Sequence, residues 1–339
     1  MSTQAMPQER AQPAAGAGAA AEGAVPAPVE FLRASRWYSQ VIALNDVSVR
    51  IPPGVTGLLG PNGAGKSTFL KLACGQLRPS QGEVRLLGRP AWGSPEVFHR
   101  VGLCPETDAF WEHLTGLDFL VQLLRLTGFG DAECQHRAEN ALHQVALLDA
   151  KHRKIGGYSK GMRQRVKLAQ AIAHDPEVLL LDEPVSGMDP LNRRRVIELV
   201  RRFGREGRTV VVSSHILHEV EAMTRRVLLV HNGRIQAEGD VREIREMMDE
   251  HPHTVALRAR EPRKLAAAIV GWPNVLSLSF GSDGEWLTVQ TARPDEFYRA
   301  LHQPALEAGV VEMYSPDENL ESVFRYLTAR GTPALEPAR

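Results

Sequence analysis

The sequence lacks any imbalance of charge: 40 Lys and Arg stand against 40 Asp and Glu in 339 residues, a formal net charge of zero. That argues against bulk attraction to nucleic acid or acidic lipid, although a local patch is compatible with it. Long hydrophobic runs are missing too. The most apolar stretches, such as Val178–Leu181 and Val227–Val230, have strand length, far short of the roughly 18–20 consecutive apolar residues that span a bilayer. The chain is not expected to cross a membrane by itself. Cysteine is scarce. Cys74, Cys104 and Cys134 fall at no metal-ligand spacing, and so odd and sparse a set suits a reducing compartment, each thiol packed as a small apolar side chain.

What is present, 43% hydrophobic and 24% charged residues, is the composition of an ordinary globular protein, long enough for one large domain or two smaller ones. Residues 1–28 are rich in Ala, Gly, Pro and Gln and read as a disordered tail, because they cannot bury enough surface to offset their ordering entropy. Glu9, Glu22 and several prolines interrupt the alanines where a secretory signal would need a Leu-rich core. Residues 29–240 alternate short apolar runs with longer amphipathic stretches, which predicts an α/β domain with a mainly parallel sheet. Its main strand candidates are Gly54–Leu59, Glu177–Leu181 and Thr209–Ser213, with a mainly helical portion over 107–173. The pattern changes after Gly239. Strands over Thr254–Arg258, Val275–Phe280, Trp286–Thr291 and Val310–Met313, helices over Pro262–Val270 and Pro294–Ala308, and a last helix over Asn319–Thr328 predict a small α+β module within 250–330.

Chemistry enters with Gly60-Pro61-Asn62-Gly63-Ala64-Gly65-Lys66-Ser67-Thr68, which follows an apolar strand and opens a helical run. This is the phosphate-loop pattern. Glycines let backbone N–H groups wrap a phosphate, and the helix N-terminus adds unsatisfied donors and the positive end of its dipole. Lys66 is placed to reach the β- and γ-phosphates, and the Ser67 hydroxyl to ligate Mg²⁺. A second apolar strand ends in Asp182-Glu183-Pro184. Asp182 would hold Mg²⁺ directly or through water, and Glu183 would orient or deprotonate an attacking water. An Asp-Glu strand end is a weak signal alone. Coupled to a phosphate loop, it is a strong one.

Further motifs follow in order: Tyr158-Ser159-Lys160-Gly161-Met162-Arg163-Gln164-Arg165, Ser186-Gly187-Met188-Asp189-Pro190, and Ser213-Ser214-His215. Together with the phosphate loop and the Asp-Glu strand they resemble the ATP-binding cassette (ABC) ATPases over about residues 30–240. The resemblance implies a phosphate-loop fold with a helical subdomain. It implies a signature serine and glycine, Ser159 and Gly161, forming a second anion site, with Asp189 in the D-loop and His215 as the switch histidine at the γ-phosphate. It also implies an aromatic platform for adenine. Trp37 and Tyr38 both qualify, and the offset from Ala43-Leu44 favours Tyr38. In the family two cassettes dock head to tail, each signature meeting ATP held by the other's phosphate loop. Lys160 and Met162 depart from the commonest signature, whereas Ser159 and Gly161 keep it. Glu106 stands where the family usually has a metal-sensing glutamine; it can still accept from Mg²⁺-bound water while adding a negative charge.

The cassette and the small module ending in Glu318-Asn-Leu-Glu-Ser-Val-Phe-Arg-Tyr-Leu resemble the ATP-binding subunits of bacterial multidrug- and lipid-type exporters. That implies an ATPase peripheral to the cytoplasmic face of the membrane, a second cassette (a homodimer by preference) and a separate transmembrane permease, with Phe110, Trp111, Leu114 and Thr115 as candidate permease contacts. The competing reading is a non-transport ABC ATPase acting on ribosomes or nucleic acid. Arg193, Arg194, Arg195, Arg201, Arg202, Arg205 and Arg208 would be its contacts, but Val196, Leu199, Val200 and Phe203 interleave with them at helical spacing. That pattern favours an amphipathic helix with a solvated face, and no nucleic-acid partner is expected.

Overall fold

A computed structural model describes residues 27–240, 253–281 and 284–314. Strands β1 (Val29–Tyr38), β2 (Val41–Ile51), β4 (Gln81–Leu86) and β5 (Arg89–Pro90) form an antiparallel sheet ordered β2-β1-β4-β5. A second sheet contains β3 (Gly54–Leu59), β6 (Val101–Cys104), β7 (Val178–Asp182), β8 (Thr209–Ser214), β9 (Arg226–His231) and β10 (Arg234–Asp240). Its order is β10-β9-β3-β8-β7-β6, parallel throughout except for β10, which returns antiparallel to β9. Strands β7 and β8 are buried along their whole length. Their continuous Val/Leu runs are what a parallel sheet covered on both faces demands.

Helix α1 (Lys66–Ala73) lies between the two sheets. The Phe69 ring stacks on Phe31 of β1 with centroids 4.1 Å apart and planes 14° from parallel. Around this pair one core joins both sheets, including Leu58, Leu70, Val84, Leu180 and Val211. The other face of the parallel sheet packs with α2 (Gly116–Leu126), α3 (Asp131–Gln144), α4 (Lys160–Ile172) and α5 (Pro190–Arg205) into a second core. Helix α5 buries Val196, Leu199, Val200 and Phe203, the apolar stripe read from its sequence. Its Arg202 instead reaches Gln144 Oε1 at 2.7 Å and Glu206 at 3.6 Å. A short helix, α6 (Leu217–Glu221), follows β8.

Beyond residue 252 the chain forms β11 (His253–Ala259), α7 (Pro262–Ile269), β12 (Val275–Phe280), β13 (Trp286–Thr291), α8 (Pro294–Glu307) and β14 (Val310–Tyr314). These strands make an antiparallel sheet ordered β12-β13-β11-β14, with a separate core around Leu257, Leu265, Val289 and Phe297. The element order is the one the alternation of the sequence predicts. The expected tail over 1–28 lies outside the described residues except at its last two positions, and the expected helix over Asn319–Thr328 lies outside them altogether. Among the described residues no helix is long and apolar enough to cross a membrane.

One large feature escapes the sequence reading, the antiparallel sheet before and after the phosphate loop. Its pairing of β1 with β2 shifts register three times. Arg33 and Asp46 take positive φ of 48° and 51°, and burial along β1 breaks out of alternation. Bulges of this kind erase the period-two signal by which a half-buried strand is recognised.

Candidate nucleotide site

The parallel sheet brings four strand ends to one edge. In spatial order β3, β8, β7 and β6 deliver the phosphate loop, His215, Asp182-Glu183 and Glu106. Crevices outside the carboxyl ends of parallel strands are where open α/β sheets bind ligands. The phosphate loop is held by its neighbours. A Cβ on Gly60 would lie 2.3 Å from the Val230 carbonyl, and one on Gly65, which has φ of 108°, would lie 2.5 Å from the Ala43 carbonyl. Both positions therefore require glycine. Gly233 N donates to Ala64 O at 3.0 Å and Gly60 N to Ser214 O at 3.4 Å, fastening the loop to β8 and to the β9–β10 turn. Gly65 caps α1 with no side-chain hydrogen bond, and the first turn holds no acidic residue. The amides of Lys66, Ser67 and Thr68 thus begin a helix whose positive end meets no carboxylate of its own first turn. Pro61 is half-buried and Ala64 buried, while Asn62 and Gly63 stand exposed at the loop's tip.

Lys66 is only 7% exposed. Its Nζ donates to Gly60 O at 2.7 Å and to Pro61 O at 3.2 Å, and lies 3.7 Å from Glu183 Oε1. Burial pushes its pKa down, opposed by the charges of Glu183, Asp182 and Glu106. Glu183 is 8% exposed, and burial pushes its pKa up against the pull of His215 and Lys66. His215 Nδ1 stands 2.9 Å from Glu183 Oε1, donating when the carboxylate is ionised. Glu183 also has φ of 48°, a left-handed conformation uncommon outside glycine that concentrates at functional sites. Its carboxylate is a buried base with an elevated pKa, oriented by one imidazole and flanked by one ammonium. Such a group can take a proton from water.

Asp182, 4% exposed, accepts a hydrogen bond from Ser213 Oγ, which in turn accepts from Glu183 N at 3.0 Å. Glu106 is exposed just beyond β6. Its carbonyl accepts from the buried Lys167 Nζ of α4 at 2.6 Å, and Lys167 also pairs with Asp108 at 3.0 Å.

A second group of predicted residues has, among the described residues, no direct hydrogen bond to the first. Exposed Ser159 caps α4, its Oγ accepting from Met162 N at 3.3 Å. Gly161 lies against Gly187, with 3.5 Å between its would-be Cβ and the Gly187 carbonyl. Asp189, also exposed, caps α5 by accepting from Asn192 N at 3.0 Å, and this bond leads the causes that lower its pKa. Tyr38 ends β1, 42% exposed, with the Arg36 guanidinium 4.9 Å from its ring centroid. Trp37 is equally exposed, and consecutive strand residues point to opposite faces.

Residues 44–186 match the family model described as ABC transporter. The chain is 31% identical to the daunorubicin/doxorubicin resistance ATP-binding protein DrrA of Streptomyces peucetius over 88% of its own length and 90% of that protein's. It is likewise 31% identical to the Nod factor export ATP-binding protein I of Burkholderia pseudomallei, covering 90% of this chain and 98% of that one. The chain belongs to the ABC transporter ATP-binding proteins. Its fold agrees: a solved ATP-binding subunit of an ABC transporter superposes with a TM-score of 0.59 at 29% identity, covering 65% of this chain and 92% of the other.

The oxygen chemistry of the cassette suits a hard divalent cation. Ser67, Asp182 and Glu106 offer one hydroxyl and two carboxylates at the same strand edge. Among the described residues no three His, Cys, Asp or Glu side chains are placed to hold a metal alone. One hydroxyl and two carboxylates fit Mg²⁺, which keeps several waters and binds through one or two carboxylates plus substrate phosphates. Two residues of these motifs have supporting roles that the sequence did not assign. Gln164 is 6% exposed on α4 and donates to the Glu183 carbonyl at 3.0 Å, and Ser213 bridges both members of the carboxylate pair. A glutamine on the apolar face of an amphipathic helix was the available signal for the first. A serine closing a Val-rich buried strand was the signal for the second.

Proposed function

We propose that the chain binds and hydrolyses ATP as one of two identical cassettes. Head-to-tail closure would drive transport, in the export direction, through a separate membrane permease from the cytoplasmic face. The observation that carries this reading is the split of the site. Lys66, Glu183 and His215 form a connected cluster within one chain, while among the described residues Ser159 and Asp189 cap exposed helix starts with no direct hydrogen bond to it. A helix N-terminus preceded by serine attracts an anion, and a second chain's nucleotide supplies one. In this reading Tyr38 stacks on adenine, residues Gly60 to Thr68 enclose the phosphates, and Ser67, Asp182 and Glu106 hold Mg²⁺. Glu183 takes the proton of the attacking water, and His215 steadies both that carboxylate and the γ-phosphate. When bound, Mg²⁺ neutralises charge building on the β- and γ-oxygens.

The export direction is supported by the names of two relatives, a drug-resistance protein and a Nod factor export protein. The decisive experiment reconstitutes the chain with its permease in vesicles and follows ATP-dependent movement of substrate. Transport that stops with Glu183→Gln supports the coupling. Normal ATP hydrolysis without any ATP-dependent transport would overturn it.

A further inference from the structure

The two serines that end β8 face opposite ways, and only one of them serves the carboxylate pair. Ser214 turns instead to Glu219. Its Oγ donates to Glu219 Oε2 at 3.0 Å and accepts from Ile216 N at 3.1 Å, so a single hydroxyl closes the turn that carries His215. The backbone of Ser214 is engaged as well, its carbonyl accepting from Gly60 N of the phosphate loop. Glu219 is 3% exposed, a carboxylate taken out of water, which is costly unless it is paired. Its second oxygen faces Arg193 Nε at 3.8 Å. That nitrogen is itself buried and makes no hydrogen bond, so the ion pair is what offsets its desolvation. Arg193 stands in the first turn of α5, its amide donating to the Asp189 carbonyl at 2.9 Å.

We propose that Glu219 is a positioning residue for His215, fastening the turn that carries the histidine to the helix that begins at Asp189. This rests on the functional reading above. His215 is exposed, and its side chain bonds to Glu183. Its placement therefore depends on the backbone on either side, which the Ser214 hydroxyl pins by accepting from Ile216 N while the Glu219 carboxylate holds that hydroxyl. Displacement of the Asp189 segment, as a second cassette docks on it, would pass through Arg193 and Glu219 to the histidine. Helix capping does not explain the arrangement, because α6 has no side-chain cap and Glu219 bonds to Ser214 instead.

The test measures kcat, KM for ATP and melting temperature of the full chain and its variants. Glu219→Ala and Ser214→Ala should each lower kcat about tenfold with KM for ATP unchanged, and the double variant should fall no further, as for residues acting as one unit. Glu219→Gln, whose amide oxygen still accepts from Ser214, should recover most of the rate. Arg193→Met should lower kcat a few-fold by cutting only the link to α5. Additive losses in the double variant, or a Gln variant as slow as the Ala variant despite wild-type melting, would overturn the proposal. So would a fall in melting temperature with kcat per folded molecule unchanged. Absence of ATP turnover by the unaltered chain would instead remove the underlying functional reading.

Discussion

The two groups of candidate site residues in this cassette differ in how finished they are. At the carboxyl edge of the parallel sheet, Lys66, Asp182 and Glu183 are 7%, 4% and 8% exposed, and each is tied to another member of the site or to its loop. At the starts of α4 and α5, Ser159 and Asp189 are exposed, and their side chains are spent on capping their own helices. The first region is preorganised and holds its charges out of water, where electrostatic interactions are strongest. The second stands in solvent, with its side chains bonded to their own helices. If a second chain completes the second half, as proposed, substitutions in the two halves should fail differently.

The largest difference should come from Glu183→Gln. Removing the base while keeping its shape should slow hydrolysis by about 10²- to 10⁴-fold, leave ATP binding intact and trap an ATP-bound dimer. Single-turnover rates and sedimentation with ATP measure both effects, and a monomeric, fully active variant would break the shared-site scheme. A pH profile sharpens the same point. A base works when deprotonated, so kcat at saturating ATP should fall as pH drops through the Glu183 pKa. Burial holds that pKa above the usual 4.5. The hydrogen bond from His215 lowers it, so His215→Ala should move the acid limb to higher pH. A limb that stays put would remove His215 from the assignment.

Next in size is Lys66→Ala. Hydrogen bonds to charged groups contribute about 1.5–3 kcal/mol, which predicts roughly ten- to hundredfold weaker nucleotide binding by the isolated chain. Ser159→Ala belongs to the other half and should behave otherwise. It removes a helix cap, costing about 1 kcal/mol of stability. Hydrolysis should fall about tenfold, the loss of one charge-assisted contact, with single-chain nucleotide affinity unchanged. Titrating ATP against each monomer separates the two. Equal losses of affinity in both variants would end the comparison.

The finished half was legible in the sequence because its chemistry is local. A glycine-rich turn between a strand and a helix, and an Asp-Glu pair closing an apolar strand, are contiguous in the chain, and the parallel pairing β3-β8-β7 merely aligns them. What stayed hidden depends on distant contacts. Ser213 and Glu183 are 30 residues apart and Gln164 and Glu183 are 19 apart, and the local signal at each residue says nothing of its partner. The same holds for Lys167, a charged residue on the buried face of α4 whose partners lie around Glu106. The antiparallel sheet was lost for the opposite reason, since its bulges disturb the very alternation that reveals a strand.

The smallest effect separates Tyr38 from Trp37. Both rings are 42% exposed, and their backbones pair with Val41 and Ile42 across the β1–β2 hairpin. Neighbours on a strand project to opposite faces, so one adenine base meets only one of them. Gly65 of the phosphate loop packs against the Ala43 carbonyl of β2, which keeps this hairpin beside that loop. Tyr38 is already overlaid by the Arg36 guanidinium, a cation–π contact that stiffens the ring and leaves less of it to be newly covered. A base stacked on an aromatic contributes about 1–3 kcal/mol, and a partly covered ring belongs at the low end. Tyr38→Ala should therefore weaken ATP binding about fivefold, with Trp37→Ala near wild type. The reverse order would place adenine on the opposite face of the hairpin and transfer the platform to Trp37.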